Sequence, residues 1–294
     1  MALEPPNASE LTLYERVGGD VFFVDLVERF YAGVENDPVL RPLYPPDLEP
    51  GKANLAAFLA QYHQKRTLLI DQQQMLGNAC VYLGLDGEHH TLGEFVRNLK
   101  RMDNELLHGF VAHHFSGLDV LSSPDVSSSQ EPVSAQEFAR ALEFLRGEYD
   151  YIILDCDRRQ PDLWPGLATT SSEILMVTTP EVAAVRDLSR IADGLVVTEG
   201  TSSKLKVILN RYNAPHAVAA DQIEKVLKLP IALKLQDSPG EMVFASNSGK
   251  TLKFPGPSQL AVGLHGWSSK LADVTTKPAP KRKEENIFIV LFFF

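Results

Sequence analysis

The chain has 294 residues, 44% hydrophobic and 22% charged, which is enough apolar material for a large core and excludes disorder over most of its length. With 28 Lys+Arg against 38 Asp+Glu, its net charge of −10 excludes a general nucleic-acid surface. Two cysteines, Cys80 and Cys156, exclude a disulfide framework or a Cys-rich metal site, and no metal is expected; the absence of a signal pattern or an apolar run of ~18 residues predicts a cytoplasmic protein. From the N-terminus, Phe23, Leu26, Phe30 and Val34 fall at helical spacing, as do Leu55, Phe58, Leu59 and Tyr62. Between these stripes, PLYPPDLEPGK is a proline-rich corner that ends one helix and lets the next begin. The texture changes after Tyr62. Short apolar runs at Thr67–Asp71, Leu118–Leu121, Tyr151–Asp155, Glu173–Thr179, Lys206–Asn210 and Ala232–Leu235 read as strands. Helix candidates lie between most of them, at Leu92–Leu107, Ala135–Arg146, Ala183–Gly194 and Ala219–Leu227. This alternation predicts an α/β fold with a mainly parallel, doubly wound sheet.

The segments KRTLLID, CVYLGLD, GLDVLSSP, EYDYIILD, ILMVTTPEVAAVRDLSRI, KVILNRY and SNSGKTL, in that order over about 54–252, resemble the MinD/ParA-type deviant Walker ATPases, nearest the pilus-assembly and septum-positioning branch. The resemblance implies a P-loop-NTPase-like sheet, ATP and Mg²⁺ as cofactors, and a homodimer or protein partner. It implies that Asp155 closes the Walker B strand and holds the water shell of Mg²⁺, and that Asp71 is the first acid of an Asp-x-Asp pair. Gln73 stands at the second acid and can neither take a proton from water nor hold a cation by charge, so hydrolysis is expected to be weak. Asn210 and Arg211 match positions that recognise the base. On the residues alone, Asp155 is equally a carboxylate ordering a strand end, and Asn210 a strand-end turn residue.

A phosphate loop needs G-x-x-x-x-G-K-[ST] between a strand and a helix, and two stretches approach it without meeting it. Gly249, Lys250 and Thr251 have Phe244 at the first glycine position and follow the predicted strands. Gly51 and Lys52 open a helix, but Pro46 takes the first glycine position, Ala53 replaces the hydroxyl, and Pro50 removes an N–H. Lys52 is therefore the one candidate phosphate-binding cation, and otherwise a solvated lysine at a helix start. Nothing before Gly51 reads as a buried strand. The sheet is expected to lack its first strand and its phosphate loop, leaving a central slot empty or filled by something else.

LYERVGG, FFVDLVERFYAGV, DPVLRPLYPPDLEP and FLAQY, over about 11–62, resemble the first half of a group II truncated haemoglobin. That resemblance implies haem and oxygen binding as an alternative function, with Tyr31 and Tyr44 in the haem pocket; without it, both are aromatics packing helices. His63 lies on the wrong side for a proximal ligand, and His89, His90, His113 and His114 read as solvated. A chimeric, nonfunctional fusion is the third reading. The C-terminal KPAPKRKEENIFIVLFFF joins four cations to eight apolar residues, suited either to an anionic membrane surface or to β-aggregation. The expected map is a globin-like helical segment at 1–62, an α/β domain at 63–255 and a disordered tail at 256–294.

Overall fold

In the computed structural model the chain divides into two compact units, 1–47 and 48–294. The described residues are 49–72, 77–85, 87, 89–123, 133–156, 163–196, 200–274 and 287–293, with the side chains of 49–52, 273–274 and 291–293 excepted. All lie in the second unit; Tyr31 and Tyr44 of the first unit, and Gln73 and Asp157 of the second, fall outside them. Helix α1 (Glu49–His63) lies in the second of these compact units.

Helix α1 is built on Ala53, Ala56, Ala57 and Ala60, strong helix formers whose small side chains allow close approach to the sheet. Pro50 falls in its first turn, where a missing N–H leaves no bond unmade. Ala56, Ala57, Phe58 and Leu59 are wholly buried. Asn54 and Tyr62 bind the segment around residues 252–254, accepting the N–H groups of Leu252 and Phe254 respectively.

The strands are β1 (Thr67–Gln72), β2 (Ala112–His113), β3 (Leu118–Leu121), β4 (Tyr151–Cys156), β5 (Glu173–Thr178), β6 (Leu205–Asn210), β7 (Ile231–Leu235) and β8 (Ile287–Phe293). They form one sheet in the order β2-β3-β1-β4-β8-β5-β6-β7. Every pairing is parallel except β2 with β3. The helices between them are α2 (Ala79–Tyr82), α3 (Leu92–Asn98), α4 (Asn104–Phe110), α5 (Ala135–Glu148), α6 (Trp164–Thr170), α7 (Val182–Val196), α8 (Ala220–Leu227), α9 (Pro239–Ser248) and α10 (Gln259–Val274). The doubly wound sheet expected from the alternation is present, with a buried cluster on each face. Leu68, Ile70, Ile152 and Leu154 point to the face covered by α3 to α8, and Leu69, Tyr151 and Ile153 to the face covered by α1 and α10.

Two expectations change. The single helix predicted over 92–107 is two, because Met102 is extended and the Asp103 carboxylate accepts the Leu106 N–H at 2.8 Å, capping a new helix. Within the stretch read as a tail, 256–294, residues Gln259–Val274 form a helix and Ile287–Phe293 a strand. Helix α10 buries Leu260, Leu264, Trp267 and Leu271, and the Tyr151 hydroxyl donates to the Leu271 carbonyl at 2.8 Å.

Residues 287–293 then enter the middle of the sheet as β8, pairing in parallel with β4 (Ile153 beside Ile289) and β5 (Leu175 beside Leu291). Phe288 and Val290 face one cluster and Ile287 and Ile289 the other, all buried. A parallel strand buried on both faces must be apolar at every position. The uniform IFIVLFF that suggests aggregation in isolation is the composition this central slot demands.

Candidate functional site

In a doubly wound parallel sheet the strands end together at one edge, where ligands bind. Register alone brings the two predicted carboxylates together there. Asp71 of β1 lies beside Asp155 of β4, each 1% exposed, and Asp155 in turn lies beside Leu291 of β8. Thr178 ends β5 and Asn210 ends β6, both buried. Asn210 stands three strands from Asp155, roughly 14 Å at the usual spacing.

Helix α1 returns to the same edge. Its C-terminus leads through Gln64–Arg66 into the start of β1, so the helix runs against the strands. Fifteen residues at ~1.5 Å of rise bring Glu49 back across a strand of six. Gly51 and Lys52 are already helical, in its first turn, and do not form a glycine loop ahead of it.

The Asp71 carboxylate is enclosed by its own chain. Oδ2 accepts the Ala79 N–H at 3.2 Å. Gly77 lies so close that an added Cβ would meet Asp71 Oδ2 at 2.4 Å and Ser123 Oγ at 2.1 Å. Glycine is required there because a side chain would have to displace both groups. The next turn places Cys80 near this charge: burial, and then the Asp71 carboxylate, push its thiol up to about 12. Sequence reading missed Gly77 and Ser123; the weak signal was a lone glycine three residues before CVYLGLD begins.

Arg211 has φ +54°, and its guanidinium grips Asp237, Nε to Oδ1 at 3.0 Å and a terminal nitrogen to Oδ2 at 3.4 Å. The Asp237 N–H donates to Asn213 Oδ1 at 2.8 Å, and the Tyr212 N–H to the Leu235 carbonyl. The charge of Arg211 thus ties the ends of β6 and β7, beside the buried Asn210. The late lookalike is a helix end: Gly249 (φ +58°) closes α9, and the Lys250 N–H donates to the Ala245 carbonyl.

The histidines lie elsewhere. His63 Nε2 is 3.0 Å from Ser268 Oγ, between α1 and α10. His113 sits between Asp119 and the His108 carbonyl, where Asp119 also accepts the Tyr149 hydroxyl at 2.8 Å. His114 is buried, which pulls its pKa down. Among the described residues no group of three or more His, Cys, Asp or Glu is placed to hold a metal, and no helix is long and apolar enough to cross a membrane.

Comparison with known proteins reports on both parts of the chain. Residues 12–67 match the family model of the bacterial-like globins. The septum site-determining protein MinD of Thermotoga maritima is 30% identical over 130 residues, 42% of this chain and 47% of that protein, so the chain spans about half the length of this relative. Among solved structures, a ParA family ATPase from Chlorobium tepidum TLS is similar with TM-score 0.69 and 24% identity, covering 75% of this chain and 92% of that one. The MinD of Pyrococcus horikoshii OT3, complexed with Mg-ADP, gives TM-score 0.63 and 16% identity over 79% and 94%. Most of the chain therefore has MinD/ParA-type ATPase homologues and the MinD/ParA P-loop NTPase fold.

Proposed function

We propose that residues 48–294 are a MinD/ParA-like ATPase relative of the cell-division or pilus-positioning kind, with a residual nucleotide site at the C-terminal edge of the sheet and impaired hydrolysis. The observation carrying this reading is the buried pair Asp71 and Asp155 on adjacent strands at that edge, with Gly51 and Lys52 inside a helix instead of a glycine loop. The donor set suits part of Mg²⁺·ATP. Asp155 is the carboxylate to orient water around the cation, Asn210 the amide to bind the base, and Lys52 the remaining cation for phosphate. When bound, the nucleotide would supply the phosphorus electrophile.

The chain supplies little to activate water against it. One Asp71 oxygen is already taken by Ala79, and Gln73 cannot act as a base. The ring of main-chain donors that surrounds phosphates in a P-loop has no counterpart in the helical turn at 49–52. Function is then carried by surfaces, those of a homodimer or a protein partner. The apolar part of the tail lies in the sheet, which leaves Lys277, Lys281, Arg282 and Lys283 as the cations for an anionic membrane surface, at the periphery of a cytoplasmic protein.

Titrating a fluorescent ATP analogue with and without Mg²⁺, alongside phosphate release, tests the reading. Weak binding reduced by Asp155→Asn, with release at background, is expected. Micromolar Mg²⁺-dependent binding with turnover would overturn the impairment, and binding indifferent to Asp155→Asn would overturn the site.

The bacterial-like globin match at 12–67 supports a second reading, haem and oxygen binding by the first segment with Tyr31 and Tyr44 in the pocket. A Soret band after reconstitution that shifts in Tyr31→Phe would favour it. A polydisperse protein without a cooperative melt would favour a nonfunctional fusion.

A further inference from the structure

We propose that the gap between β4 and β5 is a strand-accepting site, and that a second copy of this chain fills it with its own residues 287–293 to give an exchanged dimer. In the monomer described above, β8 is held by main-chain ladders on both sides, with five register pairs to β4 and five to β5. These ladders bond to N–H and C=O groups and to alternate apolar side chains, features that an identical strand from another molecule offers equally.

Withdrawing β8 leaves β4 and β5 about two strand spacings apart, roughly 10 Å, with facing rows of unpaired backbone groups and two stripped cores. Such a gap strongly favours any parallel apolar strand, and the chain itself carries the matching one. The connection permits exchange. Residues 275–286, TTKPAPKRKEEN, contain six charges, two prolines and no large apolar residue. Twelve residues span up to about 40 Å when extended, enough to leave one molecule and enter another.

Because a short tether gives a strand a millimolar local concentration, insertion within one chain wins in dilute solution. Exchange gains when chains fold together at high concentration. Dimerisation of this kind also completes the functional edge in trans, since Leu291 of the entering strand lies beside Asp155.

The test uses the full chain with Cys80→Ser and Cys156→Ala, to which either Ile153→Cys or Ile289→Cys is added, as these residues are register partners on one face. Equal amounts of the two single variants are unfolded in denaturant, refolded together at about 5 and about 200 µM, and oxidised. A disulfide-linked two-chain species is expected, several-fold more abundant at the higher concentration and absent when either variant is refolded alone. A chain carrying both substitutions is expected to form an internal disulfide in dilute solution. The proposal is overturned if the internal bond forms but the mixture gives no two-chain species at about 200 µM. It is equally overturned if the internal bond does not form, or if a single variant alone gives the same band. No nucleotide enters the assay, so its failure leaves the nucleotide reading standing.

Discussion

If residues 287–293 are the central strand, truncating one of their side chains must destabilise the whole unit. Ile289 is the sharpest probe: it is wholly buried, pairs with Ile153 on β4 and Glu173 on β5, and faces the cluster under α1 and α10. Replacing it by alanine removes about three methyl or methylene groups at about 0.8 kcal/mol each and leaves a cavity. Buried Ile→Ala changes cost about 2–5 kcal/mol, so about 3 kcal/mol is expected. For a unit of this size, about 2–4 °C of Tm is lost per kcal/mol, which puts the shift at about 6–12 °C. Differential scanning calorimetry of the full chain reads it, with Val262→Ala on the exposed side of α10 as the control, expected within about 0.5 kcal/mol of the parent. If Ile289→Ala melts within a degree or so of the parent, about the scatter expected of a surface change, the segment is a tail and the slot must be closed by something else.

Gly249→Ala should lose about 1–3 kcal/mol by urea titration, because φ is +58° there and the added Cβ would stand 2.5 Å from the Gly84 Cα; an unchanged midpoint would show the two turns are not in contact. Tyr151→Phe, which removes the bond to the Leu271 carbonyl and leaves that acceptor buried, should cost about 1 kcal/mol; chemical denaturation monitoring α10 would reveal it. Cys80 should resist iodoacetamide at about pH 8, since burial and Asp71 hold the thiol neutral until about 12, and should label on unfolding; rapid labelling of native protein, read by mass spectrometry, would contradict the packing. Partial burial raises the Asp150 pKa, but the bonds and charge of Arg66 outweigh it and hold the pKa below its ordinary 3.8. A depressed carboxylate stabilises above its unfolded pKa and loses that contribution as pH falls through the folded one. Arg66→Gln should therefore be less stable at neutral pH, with the difference shrinking below pH 3.8, and a deficit that grows in acid would reverse the sign.

Much of the sheet was readable without coordinates. TLLID, LDVL, YIILD, EILMVT, KVILN and ALKL are short and mostly apolar, a local composition that favours a strand; those in the middle of the sheet are buried on both faces, whereas Ile231–Leu235 at its edge is mostly half-buried. The caps of α3 and α5 were in reach as well, since Thr91 with Glu94 and Ser134 with Glu137 form reciprocal bonds within four residues.

What the chain order could not supply was the neighbourhood of each element. Asp71 and Asp155 were picked as separate strand-end acids, and only the parallel register set them side by side. The Arg211 charge looked free for a ligand until the fold brought Asp237 to it from just beyond the end of β7. Helix α1 carries an apolar pattern that serves a globin or a sheet equally well, and packing assigned it to the sheet. IFIVLFF is the clearest case. Its backbone groups need partners on both sides and its side chains need cover on both faces, and neither need names the partner. Only the tertiary structure, by leaving an open place between β4 and β5, turned a segment that sequence marks as hazardous into the middle of the core.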